Sequence, residues 1–289
     1  MSRLTPWLLL ATLHAFPVAA NDKLPSIDKE SIEAARTAIA DMRRIRKSKE
    51  GICEADGSVL RYVGSPGAAL QDCLHRFPDT TILRVTSPGG PVPPAIRTAR
   101  DLALRQMTVE VLGFCGSSCG NYILPAAAHL VVLPYSAVML HGGPKANIDG
   151  YRESLIKAMI RAGLSREEIT EEMIATQLLN VVEARQMHVV FQQEFSVGEN
   201  WYDLPFYYEA LERGGVIAML FVSKEFLRQC LSSSTEIGAY WEPVTEAEDS
   251  AFRGLFRGPE WSSIWIMGRD IDAPTSCWRS NSEMTAPAS

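Results

Sequence analysis

Three short stretches of the chain carry residue types that could perform acyl transfer. Ser87-Pro88-Gly89-Gly90 follows an apolar run. Its glycines permit φ > 0 and let a substrate come close to bare backbone N–H groups. Main chain builds an oxyanion hole in this way, with donors facing the charge that develops on a carbonyl oxygen. Gly113-Phe114-Cys115-Gly116-Ser117-Ser118-Cys119-Gly120 is a small-residue turn between a strand-like and a helix-like run. A serine there, Ser117 or Ser118, either presents its oxygen at a helix N-terminus or simply caps it. Val138-Met139-Leu140-His141-Gly142-Gly143-Pro144 ends an apolar run on a histidine, which can serve as general base if a hydroxyl lies within hydrogen-bond reach. Two successive strands of one sheet would bring such a serine and histidine to the same edge.

The surrounding pattern supplies those strands. Val59–Val63, Thr81–Thr86, Val109–Phe114, Leu130–Leu133 and Ala137–Leu140 read as strands, as does Val216–Val222. Helices are expected over Ala68–Phe77, Pro94–Met107 and Gly120–Ala127, and over Tyr151–Val190 with a break near Gly163-Leu164-Ser165. This alternation predicts an α/β fold with largely parallel pairing. Ahead of it, Ser26–Glu50 reads as an amphipathic helix with Ile32, Ala35, Ile39, Met42 and Ile45 on one face. Its Arg43-Arg44-Ile45-Arg46-Lys47 cluster is a solvated last turn that complements the helix dipole. Beyond about Ser232 the chain holds four of its six tryptophans together with Gly and Pro, and an irregular, Trp-rich C-terminal appendage with a disordered tip is expected. The expected organisation is a signal peptide over 1–20, an N-terminal helical segment over 21–56, the α/β domain over 57–230 and the extension over 231–289.

A positive Arg3, an apolar stretch from Pro6 to Phe16 and the small residues Val18-Ala19-Ala20 form a signal peptide pattern, with cleavage expected near Ala20 and a periplasmic or secreted product. The 289-residue chain carries a formal net charge of −6, so a nucleic-acid partner has no global electrostatic support. Six cysteines in an exported chain suggest disulfides; they allow 15 pairings. Order along the chain suggests Cys53–Cys73, Cys115–Cys119 and Cys230–Cys277. Neither paired C-x-x-C motifs nor H-E-x-x-H occurs, so no metal site is expected. G-x-S-x-G is missing from the serine turn as well, which argues against the α/β-hydrolase elbow.

From Ile82 to Pro144 the chain resembles the core of ClpP-type serine peptidases, in the ClpP/crotonase-like superfamily: a strand ending in S-P-G-G, a helix, a strand entering a serine turn, then a strand ending in M-x-H. The signal peptide and the Cys-x-x-Ser-Cys turn place the resemblance nearer an exported branch than the cytosolic protease. The resemblance implies a spiral ββα core and a serine hydrolase, foremost a peptidase. Ser118 would be the nucleophile and His141 the base, with the amides of Gly90 and Cys119 forming the oxyanion hole. An acidic third member is implied after the long helices. There Glu199 or Asn200 aligns best and Asp203 is the nearest aspartate, so the family's Asp is not clearly present. No cofactor is needed. The implied partners are peptide or unstructured protein substrates and further copies in a trimer or ring, without an ATP-driven unfoldase. Two other readings stand beside it: a catalytically silent exported binding or assembly protein, and a crotonase-type acyl-CoA enzyme, which export disfavours.

Overall fold

The computed structural model describes residues 27–48, 51–140, 143, 149–161, 163–199, 201–202, 219–231, 235–257, 264–267 and 269–270. The expected signal peptide, His141, Asn200, Asp203, Cys277 and the C-terminal tip lie outside the described residues. In chain order come α1 (Lys29–Ser48), β1 (Ile52–Asp56), β2 (Val59–Val63), α2 (Ala68–Arg76), β3 (Ile82–Ser87), α3 (Val92–Leu104) and β4 (Thr108–Gly116). A π-helix (Cys119–Ile123) follows, then β5 (His129–Val132), β6 (Ala137–Leu140), α4 (Asp149–Arg161) and α5 (Glu171–Glu194). The last elements are β7 (Met219–Phe221), α6 (Lys224–Cys230), β8 (Glu236–Tyr240), α7 (Glu246–Leu255) and β9 (Ile264–Ile266).

The fold is mixed α/β, and the described strands form one mixed sheet in the order β1-β2-β3-β4-β6-β7-β9, with β5 and β8 branching off β4. Pairing is parallel except between β1 and β2 and between β6 and β7. The sheet forks because β4 changes partner along its length. Thr108–Val111 pairs with β5, whereas Phe114–Gly116 pairs with β6. Between them Gly113 adopts φ 72°, a left-handed conformation in which a side chain would be strained. Side chains take over the hydrogen bonds there: Thr86 Oγ1 donates to Leu112 O at 2.6 Å, and Gly113 N–H donates to Ser136 Oγ at 2.8 Å.

Both faces of the sheet are covered. Alternate residues such as Val138 and Leu140 face a core that also contains α2, α3 and the π-helix, while Ala137 and Met139 face one built from α1 and α7. The helical periodicity of α1 puts Ala35, Ile39, Met42 and Ile45 into that second core. Burying an aliphatic side chain of that size stabilises by about 1.5–3 kcal/mol, so packing rather than intrinsic propensity holds this helix in place. Cys53 and Cys73 are bonded, tying the β1–β2 hairpin to α2, and Cys115 is bonded to Cys119. Both pairs follow chain order. Cys230 is disulfide-bonded too. No described helix is long and apolar enough to cross a membrane.

Three expectations need correction. The C-terminal extension is not an irregular appendage: β8 pairs with β5 and β9 with β7, so both complete the main sheet. Strands of three to five residues at a sheet margin carry too little alternation to be read locally. The segment 21–56 is not wholly helical, because Ile52–Asp56 forms β1 and meets β2 through a tight turn at Gly57-Ser58. The helix expected over Gly120–Ala127 is instead a π-helix of five residues beginning at Cys119.

Candidate functional site

The candidate site is built where β3 and β4 end side by side. Ser87 is the register partner of Cys115, so the two turns leaving these strands must meet. Gly89 adopts φ 88°, and a Cβ there would lie 2.5 Å from Ser117 Cβ and 2.8 Å from Gly116 O. Only a glycine lets the chain pass that close. The next residue, Gly90, donates its N–H to Ser118 Oγ at 2.6 Å, and Ser87 Oγ accepts the N–H of Gly89 at 3.1 Å. Two motifs separated by 28 residues are thereby joined through one short hydrogen bond.

Ser118 is 2% exposed and N-caps the π-helix with ordinary helical torsions. The residue before it, Ser117, sits at φ 54°, an uncommon conformation for a non-glycine. This turn is pinned on three sides: Ser117 N–H donates to Met139 O at 3.1 Å, Ser117 O accepts from Asn121 N–H at 2.8 Å, and the Cys115–Cys119 disulfide closes the loop. The Cys119 amide is the first N–H of the π-helix, a position where no preceding turn supplies an acceptor.

The strand leading to His141 is also in place. β6 runs parallel to the end of β4, with Gly116 opposite Met139, which brings β6 to its end beside Ser117. Beyond His141, Gly143 donates its N–H to Tyr202 O at 2.9 Å. Glu199 is half-buried on the segment leading to Tyr202, where Gly198 N–H donates to Cys230 O and Trp201 N–H to Gly198 O.

Several neighbours of the site were not singled out by the sequence. Ser65, in a Ser65-Pro66-Gly67 turn after β2, places its Oγ 1.9 Å from where a Cβ on Gly90 would be; repetition of S-P-G after two adjacent strands was the available signal. Tyr122, His188 and Tyr202 form a buried aromatic group behind the serine turn. Burial, aided by the Arg185 charge, lowers the His188 pKa to about 4, so the imidazole is neutral near pH 7. Burial pushes the Tyr202 phenol well up, followed by a contribution from Tyr122. A histidine buried on a largely exposed helix leaves no mark in a periodicity reading.

Among the described residues, no group of three His, Cys, Asp or Glu side chains could hold a metal ion. A cavity of about 230 Å³ lies elsewhere, among Phe221, Trp241, Phe252 and Arg269 at the C-terminal part of the sheet. No family model matches the chain, and no curated protein matches it either.

Proposed function

We propose that the protein is an exported serine hydrolase acting on peptide bonds through a Ser118 acyl-enzyme. The observation that carries this reading is the hydrogen bond from Gly90 N–H to Ser118 Oγ. It sets an amide donor against a serine oxygen at the end of two parallel strands, within one residue of a second amide, that of Cys119. In the proposed reaction Ser118 Oγ attacks the substrate carbonyl while its proton passes to His141. The carbonyl oxygen, now negative, accepts hydrogen bonds from Gly90 and Cys119 amides, a contribution of about 3–4 kcal/mol per donor in comparable sites. His141 returns the proton to the leaving amine, and water activated in the same way hydrolyses the acyl-enzyme. Glu199, Asn200 or Asp203 would orient the imidazole. The forked, largely parallel sheet is compatible with the spiral ββα core of ClpP-like proteins. The disulfides support export, and the ring-forming partners implied by that likeness belong to the same proposal.

A catalytically silent binding protein is the second reading, favoured by the near-complete burial of Ser118 and by the engagement of the Gly90 amide with Ser118 itself. A fluorophosphonate probe separates the two. The enzyme reading expects covalent labelling of the oxidised wild-type protein and its loss in Ser118→Ala and His141→Ala. Absence of labelling in folded wild-type protein leaves the binding reading.

A further inference from the structure

His188 lies on α5, outside the stretches that carry Gly90, Ser118 and His141, yet it reaches both the helix capped by Ser118 and Gly143. Its Nδ1 is 3.3 Å from the hydroxyl of Tyr122, four residues after Ser118 on the same short helix. Its Cε1 lies 3.4 Å from where a Cβ on Gly143 would be, two residues after His141. The contact continues around a closed circuit. Gly143 N–H bonds Tyr202 O, the Tyr202 ring stands edge-on to the imidazole with centroids 4.3 Å apart, and Tyr202 Oη donates to Asn121 O at 3.1 Å. Asn121 and Tyr122 belong to the π-helix that Ser118 caps. The side chains of the circuit are buried: His188 is 7% exposed, and Tyr122, Tyr202 and Asn121 are less so, while Gly143 is half-buried.

We propose that His188 is a positioning residue that, with Tyr122 and Tyr202, registers Gly143, two residues after His141, against the helix that carries Ser118. This rests on the serine hydrolase reading for its catalytic consequence, but the clamp itself is a structural claim. The reason such a clamp matters is geometric. A nucleophile and its base must be held to a fraction of an ångström, and a displacement near 1 Å costs on the order of a hundredfold in rate. β6 aligns the two only up to Leu140. Past that point the contacts to Gly143 run through His188 and Tyr202.

The test compares wild type with His188→Leu, His188→Asn, Tyr122→Phe and the double variant of His188→Leu with Tyr122→Phe in the oxidised full-length protein. Asn is chosen because its side-chain amide can reach the place of Nδ1. Hydrogen exchange is read at the Gly143 amide, and fluorophosphonate labelling is read as a rate per folded molecule across pH. The clamp predicts that Gly143 exchange accelerates at least tenfold in His188→Leu and less in His188→Asn. It also predicts that Tyr122→Phe has no added effect once His188 is Leu. Labelling should fall roughly tenfold or more in His188→Leu and shift its pH profile, with recovery in His188→Asn. A merely structural histidine would lower thermal stability and leave Gly143 exchange and the pH profile as in wild type, which overturns the proposal. Wild-type protein that takes no probe refutes the hydrolase reading, and Gly143 exchange then decides the clamp by itself.

Discussion

Two turns of almost the same sequence end adjacent parallel strands: Ser65-Pro66-Gly67 after β2 and Ser87-Pro88-Gly89-Gly90 after β3. Each leads into a helix whose N-cap makes no side-chain hydrogen bond. Their environments differ. In the first, Tyr62 Oη donates to Ser65 O at 2.7 Å, and Gly67 adopts φ −119°. The turn is tied to its own strand by Tyr62 and to α3 by Thr98, whose Oγ1 donates to Gly67 O at 3.2 Å, and Ser65 is exposed. In the second, Gly89 is left-handed, the backbone presses on Ser117, and Gly90 bonds to Ser118. The chemistry of an S-P-G turn thus depends on which strand lies next to it. β3 has β4 as a neighbour, and β4 ends in a serine turn.

The largest expected effect breaks the second turn and spares the first. Gly89→Ala combines a left-handed backbone with a methyl group against Gly116 O, and should cost about 3 kcal/mol of unfolding free energy and abolish probe labelling. Gly67→Ala, whose Cβ would meet Pro94 Cβ at 3.2 Å and Ser65 Oγ at 3.9 Å, should cost under about 1 kcal/mol and leave labelling intact. Chemical denaturation of both variants, with labelling alongside, checks the contrast.

The disulfides sharpen it next. Cys53–Cys73 ties β1, the hairpin partner of the first turn's strand, to α2 over a separation of 20 residues, whereas Cys115–Cys119 spans four. By loop closure, removing the longer should cost about 3 kcal/mol and removing the shorter about 2. Labelling at equal folded fraction should reverse that order, because the shorter loop carries Ser118. Denaturation and labelling of the two double Cys→Ser variants decide this.

Acid should weaken the side of the molecule around the second turn. The folded pKa of His188 lies at about 4, below its ordinary 6.5. Between those values the unfolded chain binds the proton more readily, so the stabilisation from the neutral imidazole is complete above pH 6.5 and is lost as pH falls towards 4. Arg185, Tyr122 and Tyr202 face this group, and the nearby Arg185 charge works in the same direction as burial. Thermal midpoints of wild type should fall through this window and those of His188→Leu should fall less. A small effect also belongs to the first turn: Tyr62→Phe removes one neutral hydrogen bond and should cost about 1 kcal/mol, with no change in labelling.

The sequence by itself determined the local grammar. The 3.6-residue period of α1, the strands β2, β3, β4 and β6, the turn glycines and two disulfides in chain order were all legible, because each is set by neighbours within about twenty residues. Asp56-Gly57 before β2 and the Thr245-Glu248 capping box of α7 are local signals of the same kind. Tertiary structure decided what lies beside what. Strand partners are chosen by burial across the whole core, so neither the fork of β4 nor the entry of β8 and β9 into the sheet is written in any window of residues. The meeting of Gly90 with Ser118 and of His188 with Tyr122 has the same origin. Each depends on register between strands or helices far apart in the chain, and register is settled only when both faces of the sheet are covered.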